Sequence, residues 1–236
     1  MLMKLLPALL FIAWLWWTLT ANTRTEKRLR GMSKPLTDWQ LLEVIQRFSK
    51  ELETKPFDVK VLDLEPVNAV ALASGEVYLW RGLHDKYLSG EVSKEEVAAV
   101  IAHEIGHVAL GHARRRVVTG RAQIAVLALI GLVAGRLLFG WWTLLAALGL
   151  SIANAQSSQK DEFEADAFAA QLMMRSGMDP NASIAMLRKV ERWGGPVQDQ
   201  PAPLRWMASH PPIDERVASL QRVIAAGAPT AIADAS

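Results

Sequence analysis

Val97-Ala98-Ala99-Val100-Ile101-Ala102-His103-Glu104-Ile105-Gly106-His107-Val108-Ala109-Leu110-Gly111-His112 is the stretch on which the fold turns. It sets His-Glu-x-x-His in an apolar run that reads as a buried helix. Residues four apart lie one turn above each other on a helix face, so His103 and His107 can aim two imidazoles at one metal ion. Glu104 sits about 100° further round, on the side where a water would lie. Two histidines and a carboxylate are the donor chemistry of catalytic zinc, which keeps an open position and brings its water's pKa to roughly 7. A glutamate can take that proton. Ser93-x-x-Glu96 has the spacing of a capping box and starts the helix about three turns before the first histidine. An acidic residue inside an apolar run needs a reason, and Glu104 is one.

The chain has 236 residues, enough for one domain or a domain plus membrane segments. Hydrophobic residues make up 51%, and the mean hydropathy is +0.14, both of which point toward the bilayer. A net charge of +2 argues against nucleic acid as a partner. With no cysteine, there is no disulfide framework, thiolate site or thiol nucleophile, and any metal must be held by His, Asp or Glu.

Toward the N-terminus, residues 2–21 are apolar with one lysine and carry Trp14, Trp16 and Trp17. That length suits a membrane anchor with an aromatic interface. A cleaved signal peptide is the alternative, but Leu19-Thr20-Ala21 is a poor cleavage site, and Arg24, Lys27, Arg28 and Arg30 follow at once. Residues 36–54 place Leu36, Trp39, Leu42, Ile45, Phe48 and Leu52 at helical spacing, a packing helix. Phe57 to Leu64, bounded by Pro56 and Pro66, reads as a strand. Residues 67–80 read as a hairpin turning at Ser74-Gly75, whose edge could take up an extended peptide by strand addition or be purely structural.

After the histidine helix come Arg114, Arg115, Arg116 and Arg121, then apolar residues 122–155 broken by Gly135-Arg136 and Gly140. As one helix this segment would be about 50 Å long, against a bilayer core of about 30 Å. An apolar helical hairpin in the membrane fits, with Trp141 and Trp142 near an interface; a buried soluble hairpin over the site is the alternative. The two basic clusters flank apolar segments and place the catalytic part in the cytoplasm by the positive-inside rule.

Further on, Glu162 and Asp166 fall one turn apart in an Ala-rich helix that stops at Gly177. That spacing suits a metal ligand followed by a carboxylate that orients a ligating histidine. Glu164 falls on another face, where solvent is expected. Asp179-Pro180 starts a helix running to Trp193, residues 194–203 are a Gly/Pro-rich loop, and Ser209-His210-Pro211-Pro212 precedes a last helix that fades near Gly227.

His103-Glu104-Ile105-Gly106-His107 with Gly111-His112, then Glu162-Phe163-Glu164-Ala165-Asp166, then Ser209-His210-Pro211-Pro212 with Arg216, resemble the HtpX and CAAX prenyl endopeptidase family of zinc metallopeptidases over residues 35–225. The resemblance implies one zinc ion per chain on His103, His107 and Glu162, with Glu104 as general base. It implies that Asp166 and Arg216 support the ligands, and that His210 either stabilises an oxyanion or occludes the open position as a fourth ligand. Asn68 and Ala69 match the family's cleft-edge segment. His112 is a motif position without an assigned role.

The expected fold is α+β, mainly helical: a zincin-like metallopeptidase domain with a small β-sheet, an N-terminal membrane anchor and a central apolar helical hairpin. The expected parts are an anchor at 1–22, a basic linker at 23–34, the catalytic domain at 35–227 interrupted by the hairpin at 122–155, and a tail at 228–236. The expected function is membrane-anchored, zinc-dependent hydrolysis of unfolded or membrane proteins in quality control. The expected location is a bacterial inner membrane, catalytic domain in the cytoplasm or alternatively on the periplasmic side. The competing expectation is a zinc-binding, chaperone-like or scaffold membrane protein with a closed site.

Overall fold

In chain order, helix α1 (Ala21–Gly31) is followed by strand β1 (Ser33–Pro35), helix α2 (Trp39–Glu51), strands β2 (Val59–Leu62), β3 (Ala69–Ala71) and β4 (Val77–Trp80), and helices α3 (Arg81–Leu88), α4 (Lys94–Ala109) and α5 (His112–Val133). Helix α6 covers residues 158–175, and α7 (Asn181–Arg192) and α8 (Ile213–Ala226) complete the set. The computed structural model describes residues 21–133, 158–193 and 211–227. The architecture is mainly helical with one small mixed sheet.

The sheet order is β1-β2-β4-β3, with β2 parallel to β4 and both outer strands antiparallel to their neighbours. Strand β1 was not expected from the sequence. It is three residues long, and its Pro35 lacks an N–H, which an edge strand tolerates. Leu36, expected to open a helix, donates its N–H to Val59 O at 3.4 Å instead. Helix α2 therefore starts later, where Asp38 Oδ1 accepts from Leu41 N at 3.0 Å. The expected hairpin forms as β3 and β4. Gly75 takes φ +91° in its turn, a conformation that favours glycine.

Helix α4 is the hub. Its capping box is complete, with Ser93 Oγ accepting from Glu96 N at 3.2 Å and Glu96 Oε2 accepting from Ser93 N at 2.7 Å. Val97, Ala98, Ile101, Ala102 and Ile105 are fully buried, so this helix is apolar on more than one face and packed on more than one side. It packs against β3 and β4, α2, α3, α5 and α7. Helix α6 approaches tightly at Gly106: a Cβ there would lie 3.2 Å from Ala165 O and 3.2 Å from the Phe168 ring. Glycine in His-Glu-Ile-Gly-His thus lets the two acidic and imidazole-bearing helices touch. Phe168, Leu172 and Met173 of α6 and Met186 of α7 close the core.

Among the described residues, no helix is long and apolar enough to cross a membrane. Helix α5 runs from the basic cluster into residues 122–133 of the expected hairpin. Residues 1–20 of the expected anchor, 134–155 of the hairpin, the tail and His210 lie outside the described residues.

Candidate active site

Helix periodicity puts His103 and His107 on one face of α4, and α6 crosses that face with Glu162. His103 Nε2 lies 3.1 Å from His107 Nε2, and each of these nitrogens is 3.4 Å from a Glu162 oxygen. A tetrahedral ion with bonds of about 2.0–2.1 Å requires ligand–ligand edges of about 3.3–3.4 Å. One donor atom from each residue lies within 4.8 Å of the others, and the separations of 3.1 Å between the imidazoles and 3.4 Å from each imidazole to a different Glu162 oxygen are close to that edge length, so the donor set suits zinc.

Behind this triangle, Asp166 Oδ1 stands 2.9 Å from His103 Nδ1. Arg216, from the start of α8, donates to both Asp166 oxygens at 2.7 Å and lies 3.5 Å from Glu162 Oε2. Burial pushes the His103 imidazole down, but contact with Asp166 and Glu162 outweighs it and raises its pKa to about 10. The pocket favours a positive charge. Burial pushes the Asp166 carboxyl up, yet Arg216 and His103 hold it below its ordinary value. Arg216, though buried, is raised by Asp166, Glu162 and Glu104.

Glu104 is buried and lines the same cleft as the triangle. The cleft has a volume of about 780 Å³. One wall includes Asn68 to Ala71, and others include Met186, Leu187 and Val190 of α7 and the Pro211–Pro212 turn. In the β3–β4 register Ala69 faces Leu79 and Ala71 faces Val77, while Asn68 O accepts from Trp80 N and Leu72 N donates to Glu76 O. The hydrogen-bonded pairs are thus 68/80 and 72/76, which leaves the polar backbone groups of Ala69 and Ala71 directed at the open edge. The Asn68 side chain accepts from Ala69 N at 2.8 Å.

The structure brings together His103, Glu104, His107, Glu162, Asp166 and Arg216, and sets Asn68 and Ala69 on the cleft rim. His210 falls outside the described residues. Glu164 does not simply face solvent: its Oε2 is 3.1 Å from Nε2 of His112, which is wholly buried. The reason is the break at Gly111 (φ +67°), which turns His112 back under α4 and toward α6. Burial, together with His107, lowers the His112 pKa against the pull of Asp161. Arg115 and Arg116 are more than a basic flank, since both lie within ion-pair distance of Asp161. The signal that could have found His112 was a helix-ending glycine directly before a histidine.

The profile of peptidase family M48 matches residues 35–224. The metalloprotease LoiP of Escherichia coli (strain K12) is 33% identical over 171 residues, 69% of this chain and 65% of LoiP. The metalloprotease YcaL of the same organism is 28% identical over 189 residues, 80% of this chain and 70% of YcaL. The chain thus spans about two thirds of the length of these relatives. A crystal structure of S. mikatae Ste24p superposes with a TM-score of 0.58 at 18% identity, over 89% of this chain and 56% of that one. That likeness shows the shared fold.

Proposed function

The chain belongs to peptidase family M48, and from that premise we propose that it is a zinc-dependent endopeptidase acting on extended segments of unfolded or membrane proteins. The observation that carries this is the donor set of His103, His107 and Glu162, with the two imidazole nitrogens 3.1 Å apart and each 3.4 Å from a different oxygen of the Glu162 carboxylate, in the same cleft as Glu104. A zinc ion held by these three residues would supply Lewis acidity and an acidified water at neutral pH. Glu104 is placed as the general base that would hold a proton from the attacking water and return it to the departing amine. Asp166 keeps the His103 ring oriented, and Arg216 keeps Asp166 ionised and in place.

A substrate strand pairs with the open edge of β3 through Ala69 and Ala71, displacing the Asn68 side chain from the Ala69 amide. The apolar side chains of Val67, Val70, Met186 and Val190 border the same cleft, which suits apolar substrate residues of the kind unfolded proteins expose. His210 is assigned to the oxyanion or to reversible occlusion of the open position; support comes from Pro211, the next residue, which lines the cleft. The apolar, tryptophan-bearing residues 2–21 and the basic clusters support anchoring in a bacterial inner membrane with the catalytic domain cytoplasmic. Protein quality control accords with such placement.

The test compares wild type with Glu104→Gln on casein. Chelator-sensitive cleavage by wild type that vanishes in the variant supports the proposal. Equal cleavage by both contradicts it.

A further inference from the structure

The two candidate zinc-binding histidines are backed differently. His103 Nδ1 meets a carboxylate directly, in Asp166. His107 Nδ1 instead lies 2.9 Å from Nδ1 of a second imidazole, His112. On the far side of that ring, His112 Nε2 is 3.1 Å from Glu164 Oε2. We infer that His112 and Glu164 are positioning residues for His107, forming a relay that fixes its tautomer and ring plane for metal binding. The inference rests on the assignment of His107 Nε2 to the metal.

Proton placement follows from the distances. A neutral imidazole carries one N–H. If Nε2 of His107 gives its lone pair to the metal, its proton sits on Nδ1 and is donated to His112 Nδ1. His112 must then accept at Nδ1 and carry its own proton on Nε2, where a carboxylate oxygen waits. Each of the three groups has one arrangement compatible with its neighbours. Helix α6 thereby holds both histidines, one through Asp166 and the other through Glu164 by way of His112.

The backbone is built for the contact. In an unbroken helix, side chains five apart point about 140° away from each other, so His107 and His112 would not meet. Helix α4 ends at Ala109, Gly111 takes its positive φ, and α5 begins at His112. That break lets the rings approach at a 69° interplanar angle with centroids 5.1 Å apart. The alternative of a second metal site on His112, Asp161 and Glu164 fits less well. Asp161 is already paired with Arg115, and Glu164 Oε1 lies 3.2 Å from Lys160 Nζ. His112 Nε2, the nitrogen that faces both carboxylates, is 3.1 Å from Glu164 but 4.0 Å from Asp161, beyond the spacing of a zinc coordination shell.

The experiment measures zinc affinity of the full chain by chelator competition, together with long-range ¹H–¹⁵N spectra of the zinc-loaded wild type. Loss of an outer partner of a ligating histidine typically lowers metal affinity about 10–100-fold. That loss is expected for His112→Phe, which fills the space without a polar atom. Recovery of most of it is expected for His112→Gln, which keeps an acceptor and a donor on one planar group. The spectra should show His112 protonated at Nε2 and bare at Nδ1. Unchanged affinity in His112→Phe, or a His112 ring protonated at Nδ1, overturns the inference. The wild-type spectra decide even if His112→Phe does not fold. A wild type that binds no zinc overturns the metal assignment itself, which separates that failure from failure of the relay.

Discussion

Two buried carboxylates, Glu76 and Glu162, are held in opposite ways. Glu76, at the β3–β4 turn, accepts two hydrogen bonds from Arg30 at 2.7 and 2.9 Å, one from Lys60 at 2.7 Å and one from Ser74 at 3.0 Å. Resident cations satisfy it, and it ties α1 and β2 to β4. Glu162 sits instead among imidazole nitrogens at 3.4 Å, with Arg216 and Arg116 further off at 3.5 and 3.7 Å. Two of its neighbours are imidazole nitrogens at the spacing of a coordination shell. A structural charge is matched by fixed charge at contact distance, whereas a functional one is surrounded by groups that share an added ion.

If that contrast is right, changes around Glu162 act on metal and chemistry, and changes around Glu76 act on stability. The largest effect belongs to Glu104→Gln, which should lower kcat by about 10²–10⁴-fold with folding intact, as read by peptide cleavage and a thermal melt. Asp166→Asn should weaken zinc binding by about 10–100-fold, because His103 loses its anchor and Arg216 its partner; unchanged affinity would break the link between α6 and His103. Gly106→Ala forces a methyl against a backbone carbonyl and a phenyl ring at 3.2 Å. Overpacking of that kind costs about 1–3 kcal/mol, measured by urea unfolding, and here it should also loosen zinc because α6 carries Glu162.

The smallest effect lies at the other carboxylate. Glu76→Gln should cost about 1–2 kcal/mol, since hydrogen bonds to a charged group are lost but Arg30 is half exposed. Zinc content should not change. Burial pushes the Glu76 carboxyl up, but Arg30, Lys60 and Ser74 prevail and hold it at about 2, below its ordinary 4.5. A depressed folded pKa contributes stability that is full above the unfolded value and is lost as pH falls from about 4.5 toward 2. Urea unfolding between pH 6 and pH 3 should therefore show a shallower acid loss in Glu76→Gln than in wild type. Equal slopes would remove Glu76 as a structural anchor.

The contrast also marks what the sequence could disclose. Contacts made at helical spacing were legible: His103 with His107, Glu162 with Asp166, and the Ser93–Glu96 capping box all follow from a 3.6-residue period. So was the hairpin, since a glycine at a turn flanked by apolar residues specifies it locally. Contacts that depend on where elements cross were not. Arg30 and Glu76 are 46 residues apart, and nothing local pairs them. The parallel pairing of β2 with β4 and the recruitment of Ser33–Pro35 to the sheet are likewise tertiary choices. His112 was visible as a motif position, but its contact with Glu164 required knowing that the break at Gly111 sets it against a helix residue 52 positions downstream.

The central claim is that α4 and α6 together make one zinc site in which Glu104 reacts without ligating. Metal analysis of the wild type, Glu104→Gln and Glu162→Gln proteins, purified alike, tests it most directly. One zinc per chain in the first two and its loss from the third is the predicted result. Zinc retained by Glu162→Gln, or lost from Glu104→Gln, would contradict it.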